Sequence, residues 1–264
     1  MPRRKSGSLY KPLPVGRVNG LISNVEVKNY ISNQPIFAQL HTIKKTEDKR
    51  TTYRFCSTAC GSHSMEIVMC SVASHIIEDA VGALYQTHRV RKPAGKGRLT
   101  GGHIIDSMYD NLPAAFQCSF VEYVKSRTDS IEAYLDKRKT CQTKDDLTKL
   151  KKRYTFPKLR AVHVRKLVND QRIQLSNVRR SVDDGDKRPT MTTADTQISE
   201  DVYAAVTVCV DFKMQFINRY IAASMLRHGH KMLDRNHVID ACMCTMEDFV
   251  RPKCTLANKK AGNI

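Results

Sequence analysis

The sequence predicts an all-α fold in which one helical unit occurs twice, and three observations carry that expectation. Two long segments are apolar on two adjacent helical ridges, each is followed by a basic loop and a short capped helix, and each is preceded by a shorter basic amphipathic segment. The first long segment runs from Cys60 to Arg89, with Met65, Met69, Val72, Ile76, Ala80 and Ala83 on one ridge and Val68, Ile77, Val81 and Leu84 on the next. A helix apolar over so wide a face is buried on more than one side.

The remaining elements follow in chain order. After a basic tail over residues 1–12, Val15 to Ser23 reads as a short first helix. The loop RVRKPAGKGRL separates the first long helix from a short one around His103 to Tyr109, which Thr100 is placed to cap. Phe116 to Tyr134 reads as an additional helix, and KRKTCQTKDDLTKLKKR, Lys137 to Arg153, as a solvated linker. Then the order returns. Lys158 to Asp170 sets Leu159, Val162, Leu167 and Val168 among Arg160, Arg165 and Lys166. A long helix after Ser199 carries Val202, Val206, Cys209, Phe212, Phe216 and Tyr220 on one ridge and Val210, Ile217, Ile221 and Met225 on another. The loop RHGHKML leads to a short helix with Val238, Ile239 and Cys242, capped by Asp234. This is a diverged internal duplication. A unit of that shape has too little internal core to stand alone, so each copy is expected to bury the other.

Charge points to the partner. The 264 residues include 44 Lys and Arg against 26 Asp and Glu, a net charge of +18, with 41% hydrophobic residues and no Trp. Such a chain buries a core and still presents a cationic surface, which calls for a polyanion. Nucleic acid is favoured over membrane: no run approaches the roughly 18 apolar residues of a spanning helix, and MPRRKSGSLYK lacks the apolar core of a secretory signal. Nine cysteines without small-scaffold spacing read as reduced thiols in an intracellular setting. The runs RRK, KRK and KLKKR resemble nuclear-targeting patches, and linker charge that tracks DNA explains them equally well.

Two stretches carry a family resemblance. PVGRVNGLI at Pro14 to Ile22, and GRLTGGHIIDSMYDNLPAAF at Gly97 to Phe116, resemble the first and last helices of a core histone of the 2A type. The second half resembles a histone fold more loosely; the 2B type is its natural assignment, with the 3 and 4 types left open. The resemblance implies a doublet similar to those of large DNA viruses, two histone-fold units fused into an intramolecular handshake pseudodimer. Its parts would be a unit over 13–136, a basic linker over 137–153, a second unit over 154–250 and a tail over 251–264. It also implies wrapping and compaction of double-stranded DNA with little sequence preference, in a nucleosome-like particle completed by a second histone pair or doublet of the 3/4 type. The location implied is a nucleus, or the viral factory and virion of a DNA virus. The chain departs from the family in two long insertions, Asn24 to Ala59 and Arg172 to Gln197. Its acidic surface is thin, with Glu78, Asp79 and Asp110 kept but His75, Met69 and Pro113 where more acid is expected.

In a handshake the loop before one long helix lies beside the loop after the other. One end would then gather Arg89, Arg91, Lys92, Lys96 and Arg98 with Arg179, Arg180, Lys187 and Arg188. The other would gather Lys44, Lys45, Lys49, Arg50 and Arg54 with His228, His230, Lys231 and Arg235. Between them the first helices would bring Arg17 to Arg160, Arg165 and Lys166. Three basic clusters along one edge suit bent duplex DNA, with Arg17 and Arg98 the candidates for minor-groove insertion.

Chemical sites are weaker. Cys56, Cys60 and His63 have C-x3-C-x2-H spacing, and two His and two Cys form short pairs, but a helix start and a core helix explain the same residues, so no metal is expected. DDGD at Asp183 to Asp186 lacks the Gly and Glu of a calcium loop and reads as a turn. No phosphate loop, nucleophile elbow or His-Glu metal motif is present, so neither an enzyme nor a cofactor is expected. The competing functions are a histone-fold transcription factor that reads a site through Phe116 to Tyr134, and a basic scaffold that packages nucleic acid.

Overall fold

The computed structural model describes residues 20–40, 42–46, 49–53, 55–90, 99–182 and 200–249. Among these the chain is all-α, with short strands only at its loops. The first helix, α1, spans Asn24–Ser32 and starts at Ser23, whose Oγ accepts the Glu26 N–H. Of the helix expected at Val15 to Ser23, the described end, residues 20–23, is not helical. Residues 15–19 lie outside the described residues, and Gly20 at φ +107° stops a helix from running through, leaving Ser23 as the cap. Leu21 and Ile22 are fully buried without being helical.

The stretch read as a long first insertion is therefore built. After α1 comes a 3-10 turn, Pro35–Leu40, with Phe37 stacked on Phe55 at 4.6 Å. A hairpin follows, β1 (Thr42–Thr46) with β2 (Lys49–Tyr53), then β3 (Cys56–Ser57). Next are α2 (Ala59–Val90), α3 (Gly101–Asp110), α4 (Ala114–Thr140) and α5 (Lys144–Arg153). The chain finishes with α6 (Ala161–Val182), α7 (Glu200–His228), β4 (Met232–Leu233) and α8 (Arg235–Phe249).

Two further expectations need correction. Lys137 to Arg153 is not an open linker: it holds the last turn of α4 and all of α5. Thr143 caps α5 by accepting the Asp146 N–H, two aspartates sit in its first turn, and Leu150 packs toward Ile131, Tyr134 and Phe156. The second supposed insertion begins inside α6, which continues to Val182 with Arg172 buried. In both places charge density masked a helix that has one apolar row to bury.

The long helices and both caps lie where the sequence puts them. Thr100 Oγ1 accepts the His103 N–H while His103 Nδ1 accepts the Thr100 N–H, a reciprocal capping box on α3. The start of α8 repeats it. Asp234 Oδ1 accepts the His237 N–H at 3.2 Å, and the Asp234 N–H reaches His237 Nδ1 at 3.1 Å. The heptapeptides TGGHIID and DRNHVID, beginning at Thr100 and Asp234, align without a gap.

One apolar cluster runs through both halves, from Leu21 to Cys242. Within it α2 packs against α1, α3, α6, α7 and α8, and α7 against α2, α3, α4 and α8. The segment Ala59–Leu84 is long and apolar enough to cross a bilayer, contrary to the reading that no run approaches that length, but 61% of that window is buried inside the bundle.

At the centre of α7 stands a fully buried carboxylate, Asp211. Tyr30 of α1 donates to its Oδ1 at 3.0 Å, Tyr123 of α4 donates to Oδ2 at 2.7 Å, and Arg127 Nε lies 3.5 Å from Oδ2. Burial raises the Asp211 pKa, and the hydrogen bonds and the guanidinium oppose that rise. Around it, Phe120, Tyr123 and Phe216 all meet Phe212 edge-on at 5.1 to 5.3 Å, so α4 is laid along α7 by an aromatic row. Asp211→Ala leaves Arg127 and two hydroxyls without their acceptor. It is expected to lower stability by about 3–5 kcal/mol in urea unfolding, whereas Tyr30→Phe costs about 1–2 kcal/mol.

The strap between α5 and α6 is held from below. Gln34 Nε2 donates to Thr155 O at 2.8 Å and Tyr203 OH to Leu159 O at 2.9 Å. Lys158 is buried over the Phe156 ring, its Nζ donating to the carbonyls of Tyr154 and Phe156. Burial lowers its pKa from the ordinary 10.5 to about 8. Between those values the unfolded chain binds more protons than the folded one, so this group adds stability as pH rises. From pH 7 to 9.5 the wild type should gain about 2 kcal/mol on Lys158→Met in urea unfolding, and equal pH profiles would refute the assignment.

Candidate nucleic-acid interface

Each helix begins with backbone N–H groups that have no partner inside the helix, and it carries a partial positive charge at that end. In this chain six helix starts meet in three pairs, each pair joining the first half to the second.

At the first junction α6 begins beside the residues that lead into α1. The Arg160 N–H donates to Leu21 O at 2.7 Å, and a Cβ on Gly20 would stand 3.1 Å from His163 Nε2 and 3.5 Å from Arg160 Nη1. Arg160, Arg165 and Lys166 are exposed here, as expected, while Arg17 lies outside the described residues. Sequence reasoning missed His163. Its Nδ1 is buried and finds no hydrogen-bond partner among the described residues. Its pKa is lowered by burial first, then by the charges of Arg160 and Lys166.

The second junction is a parallel bridge between the strand before α2 and the strand after α7. Cys56 pairs with Met232 and Ser57 with Leu233, and the Thr58 N–H donates to Leu233 O at 2.8 Å. This places the starts of α2 and α8 side by side. Gly61 is required there, because a Cβ would fall 2.5 Å from Leu233 O. Lys231 is exposed, and Arg235 opens α8 with its Nε sealed from solvent and unpartnered among the described residues. His228 and His230 stack at 5.7 Å, and His230 Nδ1 meets His237 Nε2 at 2.6 Å. Lys44, Lys45, Lys49 and Arg50 lie on β1 and β2 rather than in a loop, two residues ahead of this bridge; Arg54 is outside the described residues.

The third junction joins the starts of α3 and α7. The Gly101 N–H donates to Asp201 Oδ2 at 2.8 Å, and a Cβ on Gly101 would lie 2.7 Å from Asp201 O. Of the basic cluster expected at this end, Arg89 lies in the last turn of α2, and Arg179 and Arg180 near the end of α6 rather than in a loop. Arg91, Lys92, Lys96, Arg98, Lys187 and Arg188 lie outside the described residues, as does the DDGD turn. Two carboxylates open α7 at this junction: Asp201 answers an α3 N–H, and Glu200 pairs with Lys139 at 2.9 Å.

The carboxylates kept on α2 are engaged. Asp79 meets His75 at 3.1 Å and accepts from Asn111 Nδ2 at 3.4 Å. Cys56 and Cys60 are exposed and His63 faces Glu66 at 3.5 Å; among the described residues no three such side chains gather around a point that could hold a metal. The chain matches no protein-family model, no curated protein and no solved structure.

The glycines separate bridge geometry from helix propensity. Gly61→Ala should lower stability by about 1–2 kcal/mol, since the clash with Leu233 O outweighs the helical gain. Gly82→Ala, with nothing within 4 Å of its Cβ, should raise it by about 0.5–1 kcal/mol. Thermal melts of the two variants beside wild type check both signs.

Proposed function

We propose that this chain is a histone-fold doublet that wraps and compacts double-stranded DNA with little sequence preference. The observation that carries the reading is the crosswise pairing of helix starts, above all the parallel bridge of Cys56 and Ser57 with Met232 and Leu233. Two helical triads, α1–α2–α3 and α6–α7–α8, are joined head to tail, as a handshake requires. Each junction brings helix starts close together, and the positive dipole ends there favour phosphate without reading bases. A net charge of +18 supplies the cations that neutralise a duplex backbone. On this reading the chain supplies one pair of a nucleosome-like particle, and a second histone pair or doublet of the 3/4 type completes it.

The site-reading alternative relied on Phe116 to Tyr134. Phe116, Phe120 and Tyr123 are engaged with Phe212 and Phe216, so α4 serves as the brace that joins the two triads. That favours a packaging role over base readout.

Digestion of long duplex DNA by micrococcal nuclease, after assembly with the full chain and a complementary histone pair, tests the proposal. A ladder of discrete protected lengths is expected, with affinity falling steeply as salt rises. Smooth digestion with tight, salt-sensitive binding would keep the polyanion partner and overturn the wrapped particle.

A further inference from the structure

We infer that the β1–β2 hairpin is a DNA arm, a two-stranded ribbon that lies in the major groove next to the bridge junction. The inference rests on the reading of the chain as a duplex-DNA binder and adds an element that the paired helix starts do not supply. The strands read TIKKT and KRTTY, so four of ten residues are cationic and none is acidic. Their register sets Lys45 directly opposite Arg50, and like charges at such positions destabilise a ladder. No other described element packs extensively against the hairpin, and a lone two-stranded hairpin is marginal in water. A polyanion laid along the hairpin would offset the repulsion of its own cross-strand pair.

Geometry selects the groove. Five residues per strand give a reach of about 17 Å, and the major groove, about 12 Å wide, admits a two-stranded ribbon. Alternation places positions 43, 45, 50 and 52 on one face and 42, 44, 46, 49, 51 and 53 on the other. Lys45 and Arg50 thus take register positions of one face, and Lys44 and Lys49 positions of the other. The base is anchored, because β2 ends at Tyr53 and β3 of the bridge begins at Cys56. Both outer edges of the hairpin are unpaired in a two-stranded sheet, and cations there discourage strand addition by another chain.

The test compares the full chain with two variants, Lys44→Ala/Lys45→Ala/Lys49→Ala/Arg50→Ala and Arg160→Ala/Arg165→Ala/Lys166→Ala, on one 30-base-pair duplex. Salt titration counts phosphate contacts, dimethyl sulfate reports guanine N7 in the major groove, and thermal melts check folding. The hairpin variant should melt as wild type, show a log-affinity against log-salt slope shallower by about 2–4, and restore N7 methylation that the wild type blocks. An unchanged slope, or N7 fully reactive under the wild type, overturns the arm. If the junction variant alone loses affinity, the arm fails and the DNA reading stands; if neither variant does, the DNA reading fails with it.

Discussion

Everything in this chain follows from two helices that are each too apolar for their own triad. The ridges of α2 and α7 extend beyond what a short helix on either side can cover, so each must bury the other. Once they pack, the ends are constrained. The loop ahead of α2 reaches the loop beyond α7, and the start of α3 reaches the start of α7. Gly61 and Gly101 mark the points where backbone meets backbone with no room for a Cβ. Asp211 then fixes orientation: one carboxylate takes donors from α1 and α4 and the cation of Arg127, three groups that only one arrangement brings together. Hydrophobic burial supplies the drive, and the buried polar network makes sliding costly.

The same constraint creates the electrostatic surface. Helix starts that meet at junctions concentrate the positive ends of helix dipoles, even where a side chain caps the first turn. The three junctions are not equivalent, however. At the first, Arg160, Arg165 and Lys166 reinforce the dipoles beside His163, whose pKa is lowered by burial first and then by Arg160 and Lys166. At the second, Lys231 and Arg235 do so, with the hairpin at hand. At the third, Asp201 already answers the Gly101 N–H, so an anion there must rely on cations that the sequence places in the flanking loops. On the proposed reading, DNA is held most firmly at the first two junctions.

Much of this was legible in the sequence because periodicity is a property of single helices. The ridges of α2 and α7 and the caps at Thr100 and Asp234 follow from counting residues, whereas the crossed pairing of loops is what the histone resemblance implies. What escaped was of another kind. The start of α1 was displaced because PVGRVNGLI suggests a helix by resemblance, whereas Gly20 and Ser23 set the boundary by local conformation. The hairpin was hidden because TIKKTEDKRTTY alternates too weakly to separate from a solvated loop. Helix α5 was hidden because KDDLTKLKKR buries only a thin row against α4. Asp211 was read as nothing at all, since its partners come from residues 181 and 88 positions away. Its lone charge in the middle of an apolar ridge was the available signal.

Fusion gives α4 its meaning. Two helical triads on separate chains would pair at a free energy set by their concentration, but on one chain the second triad is always present at an effective concentration set by the tether. A flexible tether would suffice for that. This tether is instead a 27-residue helix that donates Tyr123 and Arg127 to the central carboxylate and ends with Lys139 against Glu200. It therefore fixes which faces meet as well as raising how often they meet. A pair braced in this way cannot exchange partners without breaking a buried ion pair. On the proposed reading, assembly with a second pair would have one fixed unit to build on, rather than a mixture of alternatives.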